Sequence, residues 1–196
     1  MIIDVKDKKI DLSERGMTRR TLGGLFVTLP LMAATQSQAQ TDQAATSILR
    51  SLAPHDRRQG GGRSVAVTRR VRTRGREIEI DLSRRVEITV FFANDSTALR
   101  AGAQQSLMRL ADALRDPILA NETFLIAGHT NSVGGYDYNV ELSAARADAV
   151  RNWLVSEGDI ASSRLQAHGF GPDMLRNPRD PASPVNRRVE VIAVTG

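Results

Sequence analysis

Asn131 and Arg146 stand fifteen residues apart in a chain of 196, and their surroundings make them a candidate pair for holding a small ligand. A short apolar run, Thr123–His129, delivers the chain to Asn131, and a Gly134-Gly135 loop leads on to a patterned helix that bears Arg146. Loops at the ends of buried strands are where ligands meet a sheet. The start of the following helix offers N–H groups suited to a carboxylate. The planar guanidinium of Arg146, roughly two turns further on, suits the same group. The residue set favours a small ligand bearing a carboxylate. On spacing alone, Arg146 is also open to plain pairing with Glu141 or Asp148.

Catalytic chemistry is poorly provided for. There is no cysteine, and the only histidines are His55, His129 and His168. No G-x-S-x-G elbow is present, and no His or carboxylate spacing suggests a metal site. Gly169-Phe170-Gly171 lacks the strand–turn–helix context of a dinucleotide fingerprint. We read a binding protein rather than an enzyme, with no cofactor and no metal. His129 is expected to be a structural side chain bonded within its loop, and Trp153 a core residue.

The elements that must position these residues are legible from about residue 77. Glu77–Leu82 alternates with Ile78, Ile80 and Leu82 on one face, and Val86–Phe92 is a second run of β-branched and aromatic residues; both predict strands. Ser96 can cap a helix whose Leu99, Ala103, Leu107, Leu110, Ala111 and Leu114 recur at three and four, stopped before Pro117. Thr123–His129 predicts a buried strand. A second helix runs from about Tyr138 to Glu157 with a stripe of Leu142, Ala145, Ala149, Trp153 and Leu154, and Gly158 stops it. Arg164–Gly171 and Arg187–Val194 close the pattern as strands around a Pro-rich loop. The expected fold is α+β, a two-layer sandwich with helices packed on a four-stranded mixed sheet.

Upstream, residues 1–39 read as an N-terminal extension and export signal. Arg19-Arg20 precedes the apolar run Leu22–Ala34, and Ser37-Gln38-Ala39 offers a cleavage site. The Thr18–Leu22 stretch is compatible with a twin-arginine signal, and Met17 is a candidate start. The apolar run is shorter than the roughly 20 residues that span a bilayer, so the mature chain is expected to have no transmembrane span. Residues 40–76 read as a flexible Arg/Gly-rich linker, with room for a short helix at Ala44–Leu52. Eight of its residues between 57 and 76 are arginines. No aromatics are interleaved to stack on bases, which argues against nucleic acid.

Four motifs in register, "FFANDSTAL", "AGHTNSVGGYDYNVELSAARADAVRNWL", "AHGFG" and "NRRVEV", resemble the peptidoglycan-binding C-terminal domain of outer membrane protein A (the OmpA-like domain), over roughly residues 85–195. The resemblance implies non-covalent binding of the diaminopimelate of the peptidoglycan stem peptide, in the periplasm and associated with the outer membrane. It assigns the ligand's carboxylate to Arg146 and a supporting role to Asn139. Asp95 belongs to the site by its place after Phe92, and Val133 contributes backbone groups. The position after Gly-His-Thr usually carries an acid that holds the ligand's ammonium, and here it is Asn131. A charge-assisted hydrogen bond exceeds a neutral one by roughly 1–2 kcal/mol, about tenfold in affinity. Asp95 or Asp137 is placed to compensate. The alternative is a periplasmic interaction module, with weakened or lost wall binding, that docks other periplasmic or outer-membrane proteins.

Overall fold

The computed structural model describes residues 43–54, 66–73, 75–88, 97, 99 and 101–195. The expected export signal, His55, Asp95, the Ser96 cap and the arginines Arg57, Arg58, Arg63 and Arg74 lie outside these residues. Helix α1 (residues 43–52) is followed by β1 (Thr68–Thr73), β2 (Arg76–Ile88), α2 (Ala101–Arg115), β3 (Phe124–His129), α3 (Tyr136–Ser156), β4 (Leu165–Gly169) and β5 (Arg188–Thr195). The strands form one mixed sheet in the order β1-β2-β5-β3-β4. Only the β3–β4 pair is parallel. The α+β architecture is as expected, but the sheet has five strands and not four.

The extra strand comes from the segment expected to be linker. Val71 and Thr73 are buried while Arg70 and Arg72 are exposed, the period-2 pattern of an edge strand. A glycine at φ +82°, Gly75, turns the chain back into β2. The two expected strands at 77–82 and 86–92 are, as far as Ile88, one strand. Its register with β5 shifts between Asp81 and Arg85. That bulge changes which face each run serves: Ile78, Ile80 and Leu82 pack on one side of the sheet, Val86 and Ile88 on the other. It also sends Arg84 towards α1, where its Nε and Nη2 donate to the Leu52 carbonyl at 3.0 and 2.7 Å. Nη2 further pairs with Glu122 at 2.6 Å. Ile48 and Leu52 of α1 are buried in the main core, so the segment 40–76 contributes both α1 and β1 to the fold.

The main core lies between the helices and one sheet face, where Leu107, Leu110, Leu114, Phe124, Ile126 and Leu154 are fully buried. A smaller cluster, including Val71, Ile80, Leu125, Phe170 and Ile192, covers the opposite face. The sheet curls around this second cluster. Its two edge strands approach each other, and the Thr73 hydroxyl on β1 donates to Gln166 Oε1 on β4 at 3.0 Å.

Helix α3 is seated differently from the expected stripe. Its buried residues are Asn139, Ser143, Ala147, Val150 and Leu154, and Trp153 is only partly buried against the core. The cause is close approach to two strand glycines. A Cβ on Gly128 would fall 2.1 Å from the Ser143 carbonyl oxygen, and one on Gly169 would fall 2.2 Å from the Ala144 nitrogen. Small residues therefore face the sheet at mid-helix, and Leu142 turns aside.

Candidate functional site

The end of β3 enters the site completely buried: His129, Thr130 and Asn131 are 1%, 2% and 6% exposed. Backbone bonds hold the loop from two sides. The Thr130 N–H donates to the Gly171 carbonyl at 3.0 Å, and the Ser132 N–H to the Pro181 carbonyl at 2.9 Å. Asn131 adds a side-chain tie across 51 residues, its Nδ2 donating to the Ala182 carbonyl at 2.7 Å. The loop then turns through Gly134 at φ +95°, and Gly135 caps α3 without a side-chain hydrogen bond.

Val133 is 62% exposed, and its carbonyl accepts a hydrogen bond from Asn139 Nδ2 at 2.9 Å. Asn139 thus fixes the loop from the first turn of the helix it belongs to. Arg146 lies seven residues further on, two helical turns along the same face. Of the five expected site residues, the structure brings Val133 and Asn139 into direct contact and ties Asn131 to the Pro-rich loop. Arg146 is half-buried on the flank of α3. Asp95 falls outside the described residues.

His129 differs from its expected role. Neither ring nitrogen has a hydrogen-bond partner among the described residues. The ring instead stacks on Phe170, with centroids 5.3 Å apart and planes 10° apart. Burial, then the charges of Arg188, Arg85 and His168, push its pKa down to about 3. His129 is therefore a neutral packing group beside the site.

Sequence reasoning overlooked Asn186, which is fully buried. Its Oδ1 accepts from the Asn177 N–H at 2.8 Å, and its Nδ2 donates to the carbonyls of Asp180 and Pro181 at 3.0 and 3.1 Å. One side chain thereby shapes the Pro-rich loop whose next carbonyl receives Asn131. The signal was present as the first letter of "NRRVEV". Arg188 in the same motif is buried as well, its Nε paired with Glu190 Oε1 at 2.8 Å. Among the described residues no group of three or more His, Asp or Glu could hold a metal ion, and no helix is long and apolar enough to cross a membrane.

The OmpA family model matches residues 91–189. Outer membrane porin F of Pseudomonas fluorescens is 37% identical over 108 residues, covering 54% of this chain and 32% of that protein. A peptidoglycan-associated lipoprotein of Mesorhizobium japonicum is 39% identical over 84 residues, covering 43% of this chain and 48% of that one. The chain therefore spans from about a third to about half of the length of these curated relatives. Among solved structures, the periplasmic domain of Helicobacter pylori MotB is similar with a TM-score of 0.50 at 17% identity, covering 64% of this chain and 87% of that one. That likeness is one of fold.

Proposed function

Because the chain belongs to the OmpA family, we propose that it binds peptidoglycan non-covalently through the diaminopimelate of the stem peptide, on the periplasmic side of the cell envelope. The observation that carries this reading is the fixed loop between β3 and α3. Asn131 is anchored at one end, the Val133 carbonyl is held by Asn139, and the α3 N-terminus carries no side-chain cap. Arg146 binds the ligand's carboxylate through a charge-assisted, planar contact. Asn131 has its nitrogen committed to Ala182, which leaves Oδ1 to accept from the ligand's ammonium. Asp95 joins the same site by its position in the motif. The relative named for its association with peptidoglycan supports the assignment.

Calorimetric titration of the full chain with meso-diaminopimelate tests it. Arg146→Ala is expected to weaken binding between tenfold and a hundredfold, the value of a hydrogen-bonded charge, with a cooperative thermal unfolding transition retained. Equal affinity in the two proteins sinks the assignment.

A second reading, a periplasmic interaction module, is favoured by the neutral Asn131. Sedimentation with purified sacculi separates the two. Wild type that remains in the supernatant, whatever the residue at 146, supports the interaction module.

A further inference from the structure

The sheet face turned away from α2 and α3 holds a cavity that the diaminopimelate site does not use. Strand β1 begins at Thr68, opposite Asp81, so among the described residues Arg85–Ile88 of β2 pairs with β5 alone. Above that stretch, the segment after β4 folds back over the sheet and forms one wall of an open pocket of about 630 Å³. Arg69, Arg85, Arg176 and Arg188 line it together with Glu87 and Glu190, and Met174 and Leu175 form part of its apolar wall.

The charges on this wall do not cancel. Glu87 is paired with Arg176. Arg188 spends its Nε on Glu190 Oε1 at 2.8 Å and its other nitrogens on the carbonyls of Asn186 and Met174 at 3.3 and 3.0 Å. Asp173, also on the wall, accepts from the Tyr136 hydroxyl at 2.9 Å. Arg69 has no ion pair among the described residues. Arg85 reaches only to 3.9 Å from Glu190 Oε2, too far for a hydrogen bond. Among the described residues the rim therefore presents two exposed guanidinium groups that are hydrogen-bonded to no carboxylate.

The floor has the opposite deficit. The Glu190 side chain is 6% exposed, yet its Oε2 receives no hydrogen bond. His129 Nε2 is 3.8 Å away, again beyond hydrogen-bonding distance. A buried carboxylate oxygen accepts only, so it requires a donor. The ligand that meets both deficits presents several anionic oxygens to Arg69 and Arg85 and one O–H to Glu190. Hydrogen phosphate has that pattern. Sulfate has the same tetrahedral shape but carries no proton, and it would set an anionic oxygen against Glu190.

We propose that this cavity, at the start of β1 on the sheet face turned away from α2 and α3, is a phosphate-binding site that selects hydrogen phosphate over sulfate. Arg69 and Arg85 take the anionic oxygens and Glu190 Oε2 accepts the proton-bearing one. The site goes beyond peptidoglycan binding and shares none of its residues. The phosphate comes either free or as the monoester headgroup of a lipid.

The test is calorimetric titration of the full chain at about pH 6, where phosphate monoesters also retain a proton, with inorganic phosphate and with sulfate at matched ionic strength. Saturable phosphate binding is expected, at least tenfold tighter than sulfate. The double variant Arg69→Gln, Arg85→Gln changes two exposed side chains and is expected to lose at least tenfold in phosphate affinity. Its diaminopimelate titration stays unchanged, so failure here and failure of the wall-binding reading remain distinguishable. Co-sedimentation with phosphatidic acid vesicles, competed by inorganic phosphate, assigns the source to lipid. Binding of the free ion without the vesicles assigns it to soluble phosphate. Absence of saturable phosphate binding, equal binding of sulfate, or full retention in the double variant overturns the proposal.

Discussion

Asn131 donates its side-chain amide to a backbone carbonyl 2.7 Å away in a loop 51 residues further along the chain. That bond gives the residue a second consequence besides its missing charge. An aspartate here has no N–H to give, and its carboxylate would face the Ala182 carbonyl. Asn131→Asp is accordingly expected to lower stability by about 1–2 kcal/mol in urea denaturation. The same change is expected to tighten diaminopimelate binding about tenfold by restoring a charged acceptor for the ammonium. An unchanged affinity would remove Asn131 from the ligand site while leaving its structural role intact. His129 gives a separate prediction. Its folded-state pKa is about 3, below the ordinary 6.5, so the unfolded chain takes up this proton first as pH falls. Stability is complete above about pH 6.5 and declines towards pH 3, by up to about 1.4 kcal/mol per pH unit from this ring. His129→Phe keeps the stacking on Phe170 and should give a shallower acid limb when unfolding free energy is followed against pH. An identical slope would show that the ring is not the titrating group.

At the scale of elements, the seat of α3 decides where the site residues point. Ser143 is fully buried. Its hydroxyl donates to the Val140 carbonyl at 2.8 Å and accepts from the Gly171 N–H at 2.9 Å. This joins the helix to the turn after β4. Gly128 and Gly169 leave room for that contact. Gly128→Ala would press a methyl group onto a backbone carbonyl that cannot move aside, with an expected loss of about 3 kcal/mol or more. A denaturation midpoint equal to wild type would contradict the packing described. The sequence pattern revealed α3 and its length within two residues but not its buried face. Leu142 and Trp153 are the more apolar choices, and only the glycines on neighbouring strands explain why Ser143 and Ala147 take the contact instead. Helix α2 has no such constraint, and its expected stripe is buried from Ala103 onward, with Leu107, Leu110 and Leu114 fully buried, while Leu99 lies before the helix and is only partly buried.

At the scale of the whole molecule, the folded unit begins well before residue 77. Leu52 is fully buried, and Ile48 and Val71 are 8% and 6% exposed. Each such side chain contributes roughly 1.5–3 kcal/mol by burial. A chain starting at residue 77 is expected to melt about 10 °C or more below one starting at residue 43, and to leave the Arg84–Glu122 pair without the Leu52 carbonyl. Calorimetric melting of the two chains checks this, and coincident melting temperatures would make α1 and β1 dispensable. The sequence by itself determined the alternation of strands and helices, the leucine core under α2, and the motif that carries Asn131, Val133 and Asn139 at the junction of β3 and α3, with Arg146 two turns along the helix. These signals are local, carried by period and by residue type. Tertiary structure alone decided the fifth strand, the bulge that lets β2 serve two cores, the partner of Asn131 and the cavity behind β5. Strand β1 pairs with β2 across a short turn, but the burial of its Val71 against Leu125, Phe170 and Ile192, like the other three features, depends on residues tens of positions apart, whose encounter is set by backbone approach and burial rather than by any pattern within one segment.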